Sequence, residues 1–530
     1  MTDASAPFDL ILLAAVCLAL MAGFPVAFTL GGTAVLVAAT ASVFGADIAW
    51  GAVPLRIYGI VTNPTLLAIP FFVLMGLVLE KSRLAEDLLL AMAGAFRKTR
   101  GGLLLSVTLV GALLAASTGI VGATVVTMTL IALPSLLRSG YPPALSAGSI
   151  AAAGTLGQII PPSIVLIVLS DQISTAYQTA QRAQGAFAPD PFSVADLFAA
   201  ALLPGLCLVG MYLVYQFIRC RSGAAEMLVP EPVLPAFPQA DPAPPISQRT
   251  GAAFIVLAPL VLILCVLGAI LGGMATTTEA AALGAAGAIV LAGYRVSGNR
   301  PVLLLLPACA VAGLIVGKLA QDMTSLQPGP NLVATAFTVL CALGLLGGLV
   351  LNIRFLHRAN LLGPVLDNGI QMIAMIFAIV VGATVFALMF RELGGDQTID
   401  TVLSGLPGGT LGAILAVMLV MFILGFFLDF LEIVFVVVPL VAPILLQMTL
   451  PDGSMVSPAW LAVMMAVNLQ TSFLTPPFGF ALFYFRGAAG DLVSTVQLYK
   501  GVAPFVGLQL CLLVLLWLMP GLATWLPSVL

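Results

Sequence analysis

Long apolar stretches separated by short polar or basic segments run through nearly the whole chain, and many approach the length that crosses a bilayer, about 20 residues. They can be drawn at 8–22, 24–44, 65–80, 143–170, 196–218, 251–272, 277–294, 302–320, 332–351, 370–390, 459–485 and 502–526, some of them short or broken. Two contain a polar interruption that ends in a proline pair: GTLGQIIPPS at 154–163 and NLQTSFLTPPFG at 468–479. Proline has no amide hydrogen and clashes with the carbonyl four residues earlier. Pro161 and Pro162 should therefore free the carbonyls of Gly157 and Gln158, and Pro476 and Pro477 those of Ser472 and Phe473. In hydrocarbon such groups are tolerated only where protein buries them or where they line a cavity. Broken helices of this kind point to a transport site.

An apolar hairpin pattern precedes each break, at 101–137 and at 409–450. Cytoplasmic loops carry excess Lys and Arg, and the basic clusters Arg97, Lys98 and Arg100, Arg219, Arg221 and Arg249, Arg295 and Arg300, and Arg354 and Arg358 are separated by even numbers of crossings. The first hairpin then opens to the cytoplasm. Span 370–390 leads out to a net acidic loop holding Arg391, Glu392, Asp396 and Asp400, where the second hairpin starts. Hairpin plus broken helix thus occurs twice in opposite orientations, an inverted-topology repeat.

The expected fold class is an all-α polytopic membrane protein with two re-entrant hairpins and two broken helices. Its expected organisation is scaffold helices at 1–100, a first repeat at 101–218, a linker at 219–250, scaffold helices at 251–358 and a second repeat at 359–530. Seven prolines between 222 and 248 make the linker a cytoplasmic, structure-poor segment. The pair 302–351 reads as an insertion of two helices, since removing an even number leaves the remaining topology unchanged.

Composition agrees with the pattern: 61% hydrophobic residues, 8% charged and a mean hydropathy of +1.17, where soluble domains carry about a quarter charged residues. The first span lacks a basic n-region and a small-residue cleavage site, so it reads as a retained helix. The seven cysteines are scattered without CxxC spacing and suit packing. His357 is the only histidine, which excludes a histidine-based metal or catalytic cluster. The net charge of −3 gives no pointer to nucleic acid. A membrane enzyme or complex subunit would show a clustered His, Cys or acid constellation or a cofactor motif, and none is visible; no enzyme activity and no cofactor are expected.

Seven stretches, GFPVAFTLGG at 23–32, NPTLLAIPFFVLMGLVLEKS at 63–82, ASTGIVGAT at 116–124, GTLGQIIPPS at 154–163, TTTEAAALGA at 276–285, GFFLDFLEIVFVVVPLVAPI at 425–444 and NLQTSFLTPPFGFALFYFRG at 468–487, resemble the large membrane subunit of tripartite ATP-independent periplasmic (TRAP) transporters. The last most resembles the branch whose members carry mannitol and chloroaromatic names. The resemblance implies a permease of the bacterial inner membrane that works with a separate small four-helix membrane subunit and a periplasmic substrate-binding protein. It also implies import of an organic acid with sodium ions by an elevator motion. No GxxxxGK[ST] motif appears, in keeping with ion-driven transport. A stand-alone sodium- or proton-coupled anion transporter is the alternative within the same class.

Ser117, Thr118 and Gly119 match the family's first hairpin tip, which would present helix amides to an anion and carbonyls to a cation; the alternative is a tight turn that needs glycine. The sodium candidates are these three with Gly154, Gly157, Gln158 and Pro161 of the first break, Thr471, Ser472, Thr475 and Pro476 of the second, and Asp429. Hydroxyls and carbonyls suit a hard cation. Thr155, Ser163, Glu432, Gln470 and Gly479 are the substrate candidates. Asp429 and Glu432 are acids in an apolar stretch and so functional candidates, although Asp429 could equally cap a helix. Glu279, in the family's TEAA motif, reads as a cap or pivot. Arg391 and Arg486 flank these elements and read as interfacial, snorkelling residues.

Overall fold

The computed structural model describes residues 8–96, 98–119, 121–221, 252–298, 300–324, 332–477 and 479–530. Among these residues the fold is helical, with one isolated antiparallel bridge between Thr449 and Met455. Five N-terminal helices, α1 (Phe8–Met21), α2 (Val26–Val43), α3 (Ala52–Val61), α4 (Ala68–Lys81) and α5 (Leu84–Ala95), lead into a hairpin of α6 (Gly102–Thr118) and α7 (Val121–Arg138). A broken helix follows, α8 (Pro143–Thr155) and α9 (Ile164–Ala183), and then α10 (Val194–Arg221). Beyond the linker come α11 (Ala252–Leu271), α12 (Thr277–Val296), the pair α13 (Pro301–Thr324) and α14 (Leu332–Arg358), and the long α15 (Leu362–Glu392). Short α16 (Gly395–Ser404) precedes the second hairpin, α17 (Gly409–Leu424) and α18 (Phe430–Leu445). The second broken helix, α19 (Pro458–Leu474) and α20 (Phe480–Ala489), α21 (Thr495–Leu518) and α22 (Gly521–Val529) complete the chain.

Seven of the described helices are long and apolar enough to span a membrane singly, and α16 with α17, bent by 119°, can make an eighth. Helix pairs occupy the stretches 101–137 and 409–450 and both proline pairs interrupt helices, while α9 runs on to Ala183, past the span drawn to 170. Three short helices, α3, α5 and α16, do not appear in that pattern because none reaches spanning length, and the stretch drawn at 502–526 is divided between α21 and α22. The linker expected at 219–250 begins later: Arg219 to Arg221 complete α10, and 222–250 lies outside the described residues.

Both broken helices start in the same way, with Pro143 and Pro458 in the first turn, where a missing N–H costs nothing. The interval from that proline to the proline pair is 18 residues in each, from 143 to 161 and from 458 to 476. Capping boxes start α12 (Thr276 with Glu279), α18 (Asp429 with Glu432) and α21 (Ser494 with Gln497).

The two repeats interlock. Helix α9, beyond the first break, packs on α18 of the second hairpin, and α20, beyond the second break, packs on α7 of the first. Around them, α2 lies on α15 and α4 on α12, while α13 and α14 pack on each other and on α12. Small residues allow the closest approaches: a Cβ on Gly382 would stand 2.2 Å from the Ala27 carbonyl oxygen, and one on Gly148 would stand 2.1 Å from that of Gly501.

Candidate functional site

The site is built where the two broken helices meet. In the first, α8 tightens into a 3-10 turn at Leu156–Gln158, passes the cis Pro161–Pro162 bond, and restarts from Ser163, whose extended backbone is that of an N-cap. Thr155 Oγ1 donates to the Ala152 carbonyl at 2.8 Å, and Ser163 Oγ donates to the Gln158 carbonyl at 3.3 Å. The Gln158 carbonyl, expected to be free, therefore has a partner. In the second break α19 stops at Leu474, Thr475 turns extended, and the cis Pro476–Pro477 bond leads through Gly479 to α20. Here the Ser472 carbonyl, also expected to be free, accepts from the Thr475 amide at 3.1 Å. Tyr499 of α21 donates its hydroxyl to the Pro477 carbonyl at 3.0 Å. Sequence reasoning missed Tyr499, which lies outside every polar motif.

Gln470 Nε2 donates to Thr155 Oγ1 at 3.3 Å, so the two breaks touch directly, and both side chains are fully buried. Beside them Gln158 is also fully buried, yet neither its Oε1 nor its Nε2 has a protein partner; Gln470 Oε1 is likewise unpartnered. A buried amide without partners costs about 1–3 kcal/mol. Its donor can meet a carboxylate and its acceptor a cation. The hydroxyls around the second break are set as acceptors: Thr471, Ser472 and Thr475 donate to the carbonyls of Val467, Leu469 and Thr471 at 2.8, 2.8 and 2.7 Å. With the hydrogens directed into the helix, the remaining oxygen lone pairs can only accept, as a cation ligand must.

Each hairpin tip abuts the break of its own repeat. Gly119 ends α6 at φ +62, a left-handed conformation that glycine adopts without penalty, and a Cβ there would lie 3.0 Å from Ile164 Cγ1. A Cβ on Gly157 would meet the Ala115 carbonyl oxygen at 2.4 Å, and one on Gly425 would meet Ser472 Oγ at 2.1 Å. Gly154 faces Val125 of α7. The expectations for the Ser117 and Thr118 side chains lie outside the described residues.

The acids are placed differently. Asp429 Oδ1 accepts from Phe430 N at 2.8 Å, and Glu432 Oε2 accepts from Asp429 N at 2.9 Å. Both carboxylates are thus engaged at the start of α18, the capping arrangement. Glu279 is engaged in the same way at α12, where its Oε2 accepts from Thr276 N at 2.8 Å. Arg391 Nη2 donates to the Pro439 carbonyl at 3.1 Å, and its Nε lies 3.5 Å from Asp396 Oδ2. Pro443, four residues on, has no N–H to offer that carbonyl. Arg486 is exposed at the end of α20.

The family model described as "Tripartite ATP-independent periplasmic transporter, DctM component" matches residues 11–522. The chain is 26% identical over 515 residues to the C4-dicarboxylate TRAP transporter large permease protein DctM of Vibrio cholerae, covering 96% of this chain and 95% of that one. It is 25% identical over 514 residues to the isethionate TRAP transporter permease protein DctMQ of Oleidesulfovibrio alaskensis, covering 95% of this chain and 64% of that longer protein. Among solved structures, the Alcanivorax borkumensis YdaH transporter is similar in fold, with a TM-score of 0.50 at 15% identity, covering 88% of this chain and 86% of that one.

Proposed function

We infer the function from family membership: this chain belongs to the DctM family of tripartite ATP-independent periplasmic transporters and is a multi-pass inner-membrane permease of the large-subunit type, a transport protein and not an enzyme. Beyond that, we propose that it imports an organic acid delivered by a periplasmic binding protein, together with a small four-helix membrane subunit, and that sodium ions drive the import. The C4-dicarboxylate and isethionate names of two relatives support an organic anion as cargo.

The observation that carries this reading is the unpartnered, fully buried Gln158 amide beside the Thr155–Gln470 contact. Sodium would be held by the acceptor hydroxyls of Thr471, Ser472 and Thr475, by the unpartnered Gln158 Oε1 and by carbonyls of Gly154, Gly157, Pro161, Gly119 and Pro476, with Ser117 and Thr118 at the first tip. The cargo's carboxylate would accept from the free N–H groups of the Gln158 and Gln470 amides, with Thr155 and Ser163, whose hydroxyl hydrogens already serve the Ala152 and Gln158 carbonyls, and Gly479 lining the site beside them. No fixed positive charge is needed, because sodium and amide donors neutralise the anion. The interlocked hairpins and broken helices move as one body against the frame of α2, α4, α12 and α15, an elevator motion.

The test is uptake of radiolabelled organic acids into vesicles holding this chain with its small subunit and binding protein, with and without an inward sodium gradient. Sodium-dependent, binding-protein-dependent uptake is expected. Uptake that persists without the binding protein would favour the stand-alone transporter, and indifference to sodium would remove the coupling ion from the proposal.

A further inference from the structure

A cavity lies between α14, of the pair expected to be an insertion, and the helices α4, α12 and α15. Asn352 of α14 donates to the Leu303 carbonyl at 3.1 Å, which ties α14 to α13, and its side chain presses on Gly293 of α12. On its other side α14 faces α4 and α15 across a gap. The resulting slot, of about 150 Å³, is lined by Leu74 and Val78 of α4, Ile353 and Leu356 of α14, and Val365 and Leu366 of α15. Lys81 and Ser82, at the end of α4, complete its wall. Leu366, 45% exposed, and Lys81, with its side chain 34% exposed, show that the slot reaches the surface.

We propose that this slot seats one acyl chain of an anionic phospholipid whose headgroup is held by Lys81. Three observations choose this occupant. The lining is apolar, and α14 and α15, which supply much of it, are long and apolar enough to span a membrane, where the surrounding solvent is lipid tail as apolar as leucine itself. The mouth lies at the end of α14 that carries a basic cluster: Arg354, His357 and Arg358 are exposed in its last turns, next in sequence to Ile353 and Leu356, which line the slot with Lys81. Basic pockets between helices on the cytoplasmic side suit anionic headgroups. Lys81 pairs with Glu80 at 3.3 Å and keeps further N–H donors for a phosphate. The lipid acts as a filler that joins the inserted pair to the scaffold, and this role does not depend on what the permease carries.

The test uses the purified full chain in a neutral detergent, supplied with phosphatidylglycerol or with phosphatidylcholine of the same acyl chains. The melting temperature is read and retained lipid is counted by native mass spectrometry. A ligand that binds the folded state raises its stability, so phosphatidylglycerol should raise the melting temperature by several degrees more than phosphatidylcholine and leave one retained molecule. Lys81→Gln should abolish the difference, Ile353→Phe should abolish retention by filling the slot, and Glu80→Gln, which breaks the same ion pair but keeps the charge, should preserve both. Equal shifts with the two lipids, or a difference that survives Lys81→Gln, would overturn the proposal. Displacement of the retained lipid by the small subunit would also overturn it, because the slot would then be a protein seat.

Discussion

Gln470 Nε2 and Thr155 Oγ1 lie 3.3 Å apart although 315 residues separate them, and their bond is where one helix break touches the other. Both groups are fully buried; removal of Thr155 leaves Gln470 Nε2 without a partner, whereas removal of Gln470 takes a donor from Thr155 Oγ1, which keeps its bond to the Ala152 carbonyl. Gln470→Leu or Thr155→Val should each destabilise the protein by about 1–3 kcal/mol. The double variant should be milder than the sum of the two, with a coupling of about 0.5–3 kcal/mol, read from melting curves of all four proteins. Strict additivity would mean that the two side chains do not interact.

Gly157 tests how tightly the first hairpin presses on its break. A Cβ there would meet the Ala115 carbonyl oxygen at 2.4 Å, and backbone cannot yield as a side-chain tip can. Gly157→Ala should cost about 1–3 kcal/mol and lower uptake, whereas Gly507→Ala, in a helix with nothing within 4 Å of the added carbon, should be neutral or slightly stabilising. The comparison is read as melting temperature and transport rate.

Asp429 separates capping from charge. Asn accepts the same amide, so Asp429→Asn should keep the stability of the parent, while Asp429→Ala should lose about 0.5–2 kcal/mol. If Asp429 also ligates sodium, the Asn variant melts like the parent but needs more sodium for half-maximal transport. An Asn variant with unaltered sodium dependence would leave Asp429 as a cap alone.

Arg391 holds a carbonyl that proline chemistry leaves without its helical partner, at 3.1 Å from Pro439 O. Arg391→Met keeps the bulk and loses the donor, and should destabilise by about 1–3 kcal/mol. A melting temperature equal to that of the parent would show that the Pro439 carbonyl is satisfied in another way.

The large features were legible because they rest on covalent chemistry. A proline pair within an apolar run marks a broken helix whatever surrounds it. The capping role of Asp429 and Glu432 was also within reach, since acids at the first and fourth positions of a helix start form a capping box. The repeat could have been found more directly from the 18-residue interval between Pro143 and Pro161, which recurs between Pro458 and Pro476. What could not be read was the partner of each freed carbonyl. Ser163, Thr475, Tyr499 and Arg391 reach theirs through turns or from other helices, and such contacts leave no periodic trace. The short helices α3, α5 and α16 escaped because their 10 to 12 residues fall below spanning length.

The most direct measurement is the melting temperature of the purified chain in sodium against choline at matched ionic strength, because a ligand bound only by the folded state stabilises it by RT ln(1 + [L]/Kd). It needs neither cargo nor partner subunits. The expected result is a sodium-specific rise that shrinks in Thr475→Val, which removes an acceptor oxygen, and in Gln158→Leu, which removes the unpartnered amide, while both variants still unfold cooperatively. Identical curves in sodium and choline for the parent chain, or a sodium rise indifferent to both substitutions, would contradict ion binding at the meeting point of the two broken helices.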